Sequence, residues 1–412
     1  MLDSLAELIL SGLLIAWVFR KIHLPELIGL LILGALFGPY VLRWLNPSLL
    51  DVSGELRMAA LIVILLRAGF ELNLKSMKSV GRPSILLSFI PATIEALVVM
   101  VTAHWLLNLS YLEGAILGSV LGAVSPAVVV PYMIEFSQKK LGTNKNIPAM
   151  VIAASSIDDV FVIVVYSILL GMYVGVNVNL TFQIASIPIS IVLGILIGIL
   201  AGIILIKVFD KYKLRATKMA LVILAVSVLM VRSEHLLQNI VPFASLLGVM
   251  TLGFIFFEKR EKYAHAMSGK FEKIWVAAQI VLFTLVGSQV NIHVAWKSGL
   301  AGIAVITIGL IARSIGTYLS ILGTNLNNKE RLFVVIAYLP KATVQAAIGA
   351  APLLAMQQAG MDTMPGEVIL AVAVLSILYT APLGALAIAI SGPKLLTQEH
   401  KHNETNNAGD KM

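Results

Sequence analysis

Residues 149–171 read AMVIAASSIDDVFVIVVYSILLG. At about 1.5 Å rise per residue, some 20 apolar residues carry one helix across the roughly 30 Å hydrocarbon core of a bilayer, and this run has that length. Near its middle stand Asp158 and Asp159. An ionised aspartate at the centre of a membrane helix costs roughly 2.5–3.5 kcal/mol on insertion scales, so two in succession persist only where they face protein, water or an opposite charge. The pair reads as a proton or cation site. The alternative is a structural pair, each carboxylate satisfied by a buried base.

The rest of the chain is of the same kind. Of 412 residues, 58% are hydrophobic and only 13% charged, too much apolar surface for one or two soluble cores, which indicates an all-α polytopic membrane protein. The net charge of +8 does not point to nucleic acid, because the basic residues sit in short loops between apolar runs. The absence of cysteine excludes disulfides, iron–sulfur clusters and thiol chemistry. The N-terminus, MLDSLAELILSGLLIAWVF, carries Asp3 and Glu7 where a signal peptide has positive charge, so it reads as a retained first span. From Gly392 to Met412 the chain is polar, with His400 and His402 in what reads as a solvated cytoplasmic tail.

About thirteen apolar segments follow from length and from charged or Pro/Gly punctuation, near 4–20, 25–42, 55–71, 83–107, 112–134, 148–175, 184–207, 217–232, 239–257, 273–290, 294–322, 331–357 and 367–391. Of the 30 Lys and Arg, 23 fall after odd-numbered segments and four (Arg43, Arg57, Arg232 and Lys297) after even-numbered ones. By the positive-inside rule the N-terminus is then outside and the C-terminus cytoplasmic. The remaining three, Arg67, Arg313 and Lys341, lie within segments. Arg67 and Glu71, spaced i and i+4, read as a structural pair or as the lining of an entrance.

Two segments read as broken. In the fifth, GAILGSVLGAVSPAVVVPYM, Pro126 and Pro131 each remove a donor, leaving carbonyls near Ala123 and Ser125 free at mid-membrane depth. The twelfth, RLFVVIAYLPKATVQAAIGAAPLL, sets Pro340 beside Lys341, with Thr343 just beyond and Pro352 further on. Interrupted helices at matching positions of two halves are the sequence pointer to a transporter binding site. The fifth and twelfth are seven segments apart, an odd number, so the halves run in opposite senses through the membrane. That is an inverted repeat. Prolines that merely kink two packing helices are the plainer reading.

The strings LIVILLRAGFELNLKSMKSV, ATIEALVV, LGAVSPAVVVPYM, ASSIDDV, ARSIGTYLS and YLPKATVQAAIG, in order from Leu61 to Gly349, resemble the monovalent cation:proton antiporter superfamily, and within it the NHA-type sodium/proton branch. The resemblance implies about 13 transmembrane helices over residues 1–391. They would form a six-helix core near 83–175 and 294–391 with two broken crossing helices, and a dimerisation scaffold near 1–71 and 184–290. It also implies exchange of Na+ or Li+ for H+ by elevator-type alternating access, usually as a homodimer in the plasma membrane, with no cofactor. A K+/H+ exchanger or a channel-like K+ efflux protein on the same core is the alternative.

Neighbouring helical residues differ by about 100°, so Asp158 and Asp159 point different ways, one to the ion path and one to the crossing. Ser155 and Ser156 lie three or four residues before them and extend the oxygen-lined face. By the resemblance, Asp159 is the chief carrier of Na+ and H+, with Asp158 beside it. Ser125, Pro126, Pro340, Lys341 and Thr343 form the crossing, and Glu95 pairs with Arg313. Lys341 would offset carbonyl dipoles and Asp158. Electrogenic relatives commonly have lysine where Arg313 stands; arginine does not release its proton, which favours one proton per sodium.

Overall fold

The structure, a computed structural model, describes residues 2–22, 26–71, 74–174, 180–237 and 244–398. Some side chains within helices, including those of Glu71 and Ser156, and the tail residues from 399 on lie outside that description.

The described chain is helical, apart from one isolated bridge between Leu141 and Gln398. In chain order the helices are α1 (Leu2–Lys21), α2 (Glu26–Phe37), α3 (Pro47–Asp51), α4 (Ser53–Glu71), α5 (Leu74–Leu87), α6 (Ile90–Leu107), α7 (Tyr111–Leu121), α8 (Pro126–Gln138) and α9 (Ile147–Tyr173). There follow α10 (Leu180–Tyr212), α11 (Ala216–Leu237), α12 (Ser245–Lys259), α13 (Glu261–Ser288), α14 (Ile292–Ser320), α15 (Asn328–Ala337), α16 (Thr343–Ile348), α17 (Ala351–Gln358) and α18 (Met364–Leu395). Among the described residues, eight helical stretches are long and apolar enough to cross a membrane, and α2 and α7 are shorter apolar helices.

Several boundaries differ from the sequence reading. The segment expected to start at residue 83 is two helices, because Pro91 in the first turn of α6 cannot continue the ladder from α5. In the fifth segment the helix stops at Leu121 and restarts at Pro126, while Pro131 sits inside a continuous α8. One proline thus breaks the helix and the other is absorbed. The twelfth segment is cut into α15, α16 and α17. At the C-terminus α18 runs on to Leu395, past Gly392. Thr397 is then clasped: its carbonyl accepts the Gly142 N–H at 2.8 Å and its hydroxyl donates to Glu330 at 2.9 Å.

Both broken segments open on the same local device. Ser110 and Glu113 form a capping box at α7, and Asn327 and Glu330 form one at α15, each satisfying two helix-start N–H groups. A hydroxyl or amide residue followed three positions later by glutamate therefore starts each of the two polar crossings.

Packing follows the apolar faces. One core joins α2, α4, α12 and α13, where Phe70 meets Phe271 and Phe256 with ring centroids 5.6 and 6.2 Å apart. In that group α2 and α13 touch backbone to backbone: a Cβ on Gly34 would stand 2.0 Å from the Thr284 carbonyl oxygen, and one on Gly287 2.1 Å from that of Leu31. Small residues allow such contact where lipid supplies no hydrophobic drive between helices. A second core joins α6, α7, α9, α14, α16 and α18, and a third gathers parts of α8, α9, α15 and α18.

Candidate functional site

The two breaks meet. The Ser125 N–H donates to the Pro340 carbonyl at 2.8 Å, and Ser125 Oγ lies 3.4 Å from both the hydroxyl and the N–H of Thr343. Residues 122–125 and 338–342 thus cross, which brings the C-terminal ends of α7 and α15 to one point. Each end presents carbonyls that no further turn of helix takes up, together with the negative end of a helix dipole.

Arg313, on α14 and fully buried, answers both ends at once. Its Nε donates to the Tyr338 carbonyl at 2.7 Å, and its Nη1 donates to the Gly122 carbonyl. The same Nη1 is 3.0 Å from Glu95 Oε2, Nη2 is 2.9 Å from Asp158 Oδ2, and the guanidinium lies 5.5 Å from the centre of the Tyr338 ring. The fork geometry of arginine allows this; a lysine ammonium has no such span. Lys341 is 2.7 Å from the other Glu95 oxygen and donates to the Leu121 carbonyl. Gln345 donates to the carbonyls of Val120 and Ala123 at 3.1 and 3.0 Å.

One expectation changes here, and another gains a partner. The carbonyls released by the break in the fifth segment are not left for a cation: Arg313, Lys341 and Gln345 occupy Val120, Leu121, Gly122 and Ala123, and the Ser125 carbonyl accepts from Val128 and Val129. Lys341 stands at the crossing against the Leu121 carbonyl as expected and has Glu95 as an ion-pair partner besides, while Asp158 pairs with Arg313. The cause is reach, since the guanidinium extends from α14 across both breaks.

The two aspartates differ as the helix geometry requires. Asp158 is wholly buried and accepts from the Val124 N–H at 2.8 Å as well as from Arg313. Asp159 is 7% exposed and is paired with neither base; Oδ1 of each aspartate has no hydrogen-bond partner. Ser155 is buried and donates its hydroxyl to the Ile152 carbonyl at 3.0 Å, so it leaves only lone pairs for a ligand. The Ser156 side chain is outside the described residues.

A cavity of about 1260 Å³ opens between α1, α2, α4 and α13 on one side and α8, α9 and α18 on the other; its walls include Arg20, Arg67, Glu272, Pro131 and Ile152. Ile152 lies seven residues before Asp159 and so on the same face of α9. Arg67 thus stands at the cavity, while the Glu71 side chain is outside the described residues.

The sequence reading overlooked Tyr338, Gln345 and Thr380, whose hydroxyl accepts the Lys341 N–H at 2.9 Å. Gln345 could have been noticed as an amide in an apolar stretch. The Gly122 and Tyr338 carbonyls carry no residue signal.

Residues 9–390 match the family described as "Sodium/hydrogen exchanger, transmembrane". Sodium/hydrogen exchanger 9B2 of Homo sapiens is 35% identical over 401 residues, covering 94% of this chain and 73% of that protein. Sodium/hydrogen exchanger 9B1 of Homo sapiens is 32% identical over 383 residues, covering 92% and 73%. The solved sodium proton antiporter MjNhaP1 from Methanocaldococcus jannaschii superposes with a TM-score of 0.85 over 96% of this chain and 98% of that one; at 21% identity the likeness concerns the fold.

Proposed function

Because the chain belongs to the sodium/hydrogen exchanger family, within the monovalent cation:proton antiporter superfamily, we propose that it exchanges Na+ for H+ through competition of the two ions for Asp159. The observation that carries this reading is the charge balance of the buried cluster. Glu95, Asp158 and Asp159 are three carboxylates, Arg313 and Lys341 two bases, and both bases are engaged with Glu95 and Asp158. One negative charge remains, on Asp159, the carboxylate that neither base pairs with and the one with a measure of exposure. One Na+ or one H+ neutralises it. An empty site carries a net charge that is costly to move across an apolar barrier, whereas either loaded form is neutral, and obligatory exchange follows.

A small hard cation is held by oxygens. Asp159 supplies the charge, Ser155 offers lone pairs, and water completes the shell, since the carbonyls of the break are already taken. With arginine at position 313 no second proton leaves from that position, so the cycle is one Na+ for one H+ and electroneutral. The group containing α6, α9 and α14, with both breaks, acts as the moving core in an elevator-type cycle. The group of α2, α4, α12 and α13 acts as the scaffold of a homodimer. Thirteen crossings place the N-terminus outside and the C-terminus in the cytoplasm of a cell with the protein in its plasma membrane, with the 1260 Å³ cavity on the cytoplasmic side.

The test is ion-driven proton movement in proteoliposomes, with Na+, Li+ and K+ supplied separately. Na+ or Li+ is expected to drive it without generating a membrane potential, and Asp159→Asn to abolish it. Wild-type rates in the Asp159→Asn protein end the proposal, and K+-driven exchange in place of Na+ would identify a K+/H+ exchanger.

A further inference from the structure

At the end of the seam opposite the cavity, three side chains are short of hydrogen-bond partners. Arg57, near the start of α4, is 3% exposed; its Nε donates to the Ser53 carbonyl at 3.2 Å, and its Nη1 is buried and unmet. Gln289, just after α13, donates to Ser53 Oγ at 2.8 Å and keeps a buried, unmet Oε1. At the same end of the seam on α9 is Tyr166, 4% exposed, with an unmet hydroxyl; Arg67 of α4 and Ile152 of α9 both line the cavity, and Arg57 and Tyr166 lie 10 and 14 residues from them along their helices. Among the described residues no carboxylate forms an ion pair with Arg57. A buried guanidinium without an anion is costly to keep, and in a membrane protein a buried charge of this kind marks a functional position.

The periodicity of α9 supplies the missing anion. Ile152, Asp159 and Tyr166 are spaced seven apart, so they stack along one face, about 10.5 Å between successive members. Ile152 lines the cavity, Asp159 stands midway, and Tyr166 lies at the far end of the seam, the end at which Arg57 leaves α4. If α9 slides about two helical turns along α4, away from the cavity, Asp159 arrives where Tyr166 now lies.

We propose that Arg57 is the partner of Asp159 in the form of the protein open to the face opposite the cavity. There the guanidinium expels Na+ from the carboxylate and holds the empty carrier until a proton breaks the pair. The inference rests on the elevator reading given above. Its consequence is sidedness: Arg57 weakens Na+ binding at the far face only. Even in a water-like dielectric, a unit charge about 4 Å away changes an equilibrium by roughly fivefold or more.

The measurement is the apparent Na+ affinity from each face, in oriented proteoliposomes. Arg57→Gln is expected to strengthen it at least about fivefold at the far face and to change it less than about twofold at the cavity face, while Arg57→Lys keeps the wild-type ratio. Equal changes at both faces, no change at either, or Arg57→Lys behaving as Arg57→Gln overturns the assignment. A purely structural role moves rate and yield but not this ratio. Should Arg57→Gln fail to fold, a cysteine pair decides, and the chain has no cysteine of its own. Arg57→Cys with Asp159→Cys, bridged by a bis-maleimide that spans the length of an arginine–carboxylate pair, cross-links if the slide occurs; labelling of both cysteines singly with no cross-link refutes the proposal. Failure of this inference alone leaves Asp159→Asn inactive, whereas failure of the exchange reading leaves it active.

Discussion

Changing Arg313 to methionine tests whether one side chain ties the crossing together. The guanidinium is fully buried and engages Glu95, Asp158 and the carbonyls of Gly122 and Tyr338. Deleting it strands Asp158 with only the Val124 N–H, a loss of about 3–5 kcal/mol for a broken buried pair. Two carbonyls at the low end of the orphaning range add about 1 kcal/mol each. The sum is about 5–7 kcal/mol, and at about 2 °C per kcal/mol for a chain of this size the melting temperature in detergent falls by roughly 10 °C. The cluster would also go from one surplus negative charge to two. Adding Glu95→Gln returns the surplus to one but breaks the buried Lys341–Glu95 pair as well, so the double variant is expected to melt no higher than the single one. The assay is scanning fluorimetry of the wild type, both single variants and the double, read as a double-mutant cycle. A single Arg313→Met variant melting within about 2 °C of wild type refutes the reasoning, and so does a double variant that melts clearly higher than the single one.

Gln345→Leu orphans the carbonyls of Val120 and Ala123, and about 2 kcal/mol of stability is expected to go with them, together with a drop in exchange rate measured in the proteoliposome assay. Glu330 sits in the first turn of α15, outside the candidate spans. Burial alone would raise its pKa, but hydrogen bonds from Lys145, Asn327 and Thr397 outweigh this and hold the carboxyl below the usual range. A lowered folded-state pKa contributes stability above the unfolded value, lost as pH falls through the folded one. Glu330→Gln is therefore expected to lower the melting temperature at neutral pH, with the gap to wild type closing below about pH 4, as melting curves across pH would show.

How far the sequence could be read depended on whether a feature is local. Hydropathy runs as long as a bilayer is thick gave the helical membrane class, and an acidic pair inside one of them singled out α9. Pro126 and Pro340 located the two interruptions to within a few residues. Pro131 misled, because a proline inside a helix is tolerated where the neighbouring packing accommodates it, and α8 continues through it. The fate of the released carbonyls was not legible: Arg313, Lys341 and Gln345 reach them from 190 or more positions away, and no spacing rule foretells such a contact. The same limit hid Arg57, which as a lone base near a segment boundary looked like a loop residue and is buried. The paired capping boxes, by contrast, were readable as S-x-x-E and N-x-x-E and passed unnoticed.

The oxygens that Arg313 grips at Gly122 and Tyr338 belong to the main chain. No codon change removes a peptide oxygen, so inherited variation reaches this knot from one side only, through the arginine. Whoever wishes to loosen the hold on these two oxygens has a single handle, the arginine, since a substitution at residue 122 or 338 leaves the peptide oxygen in place.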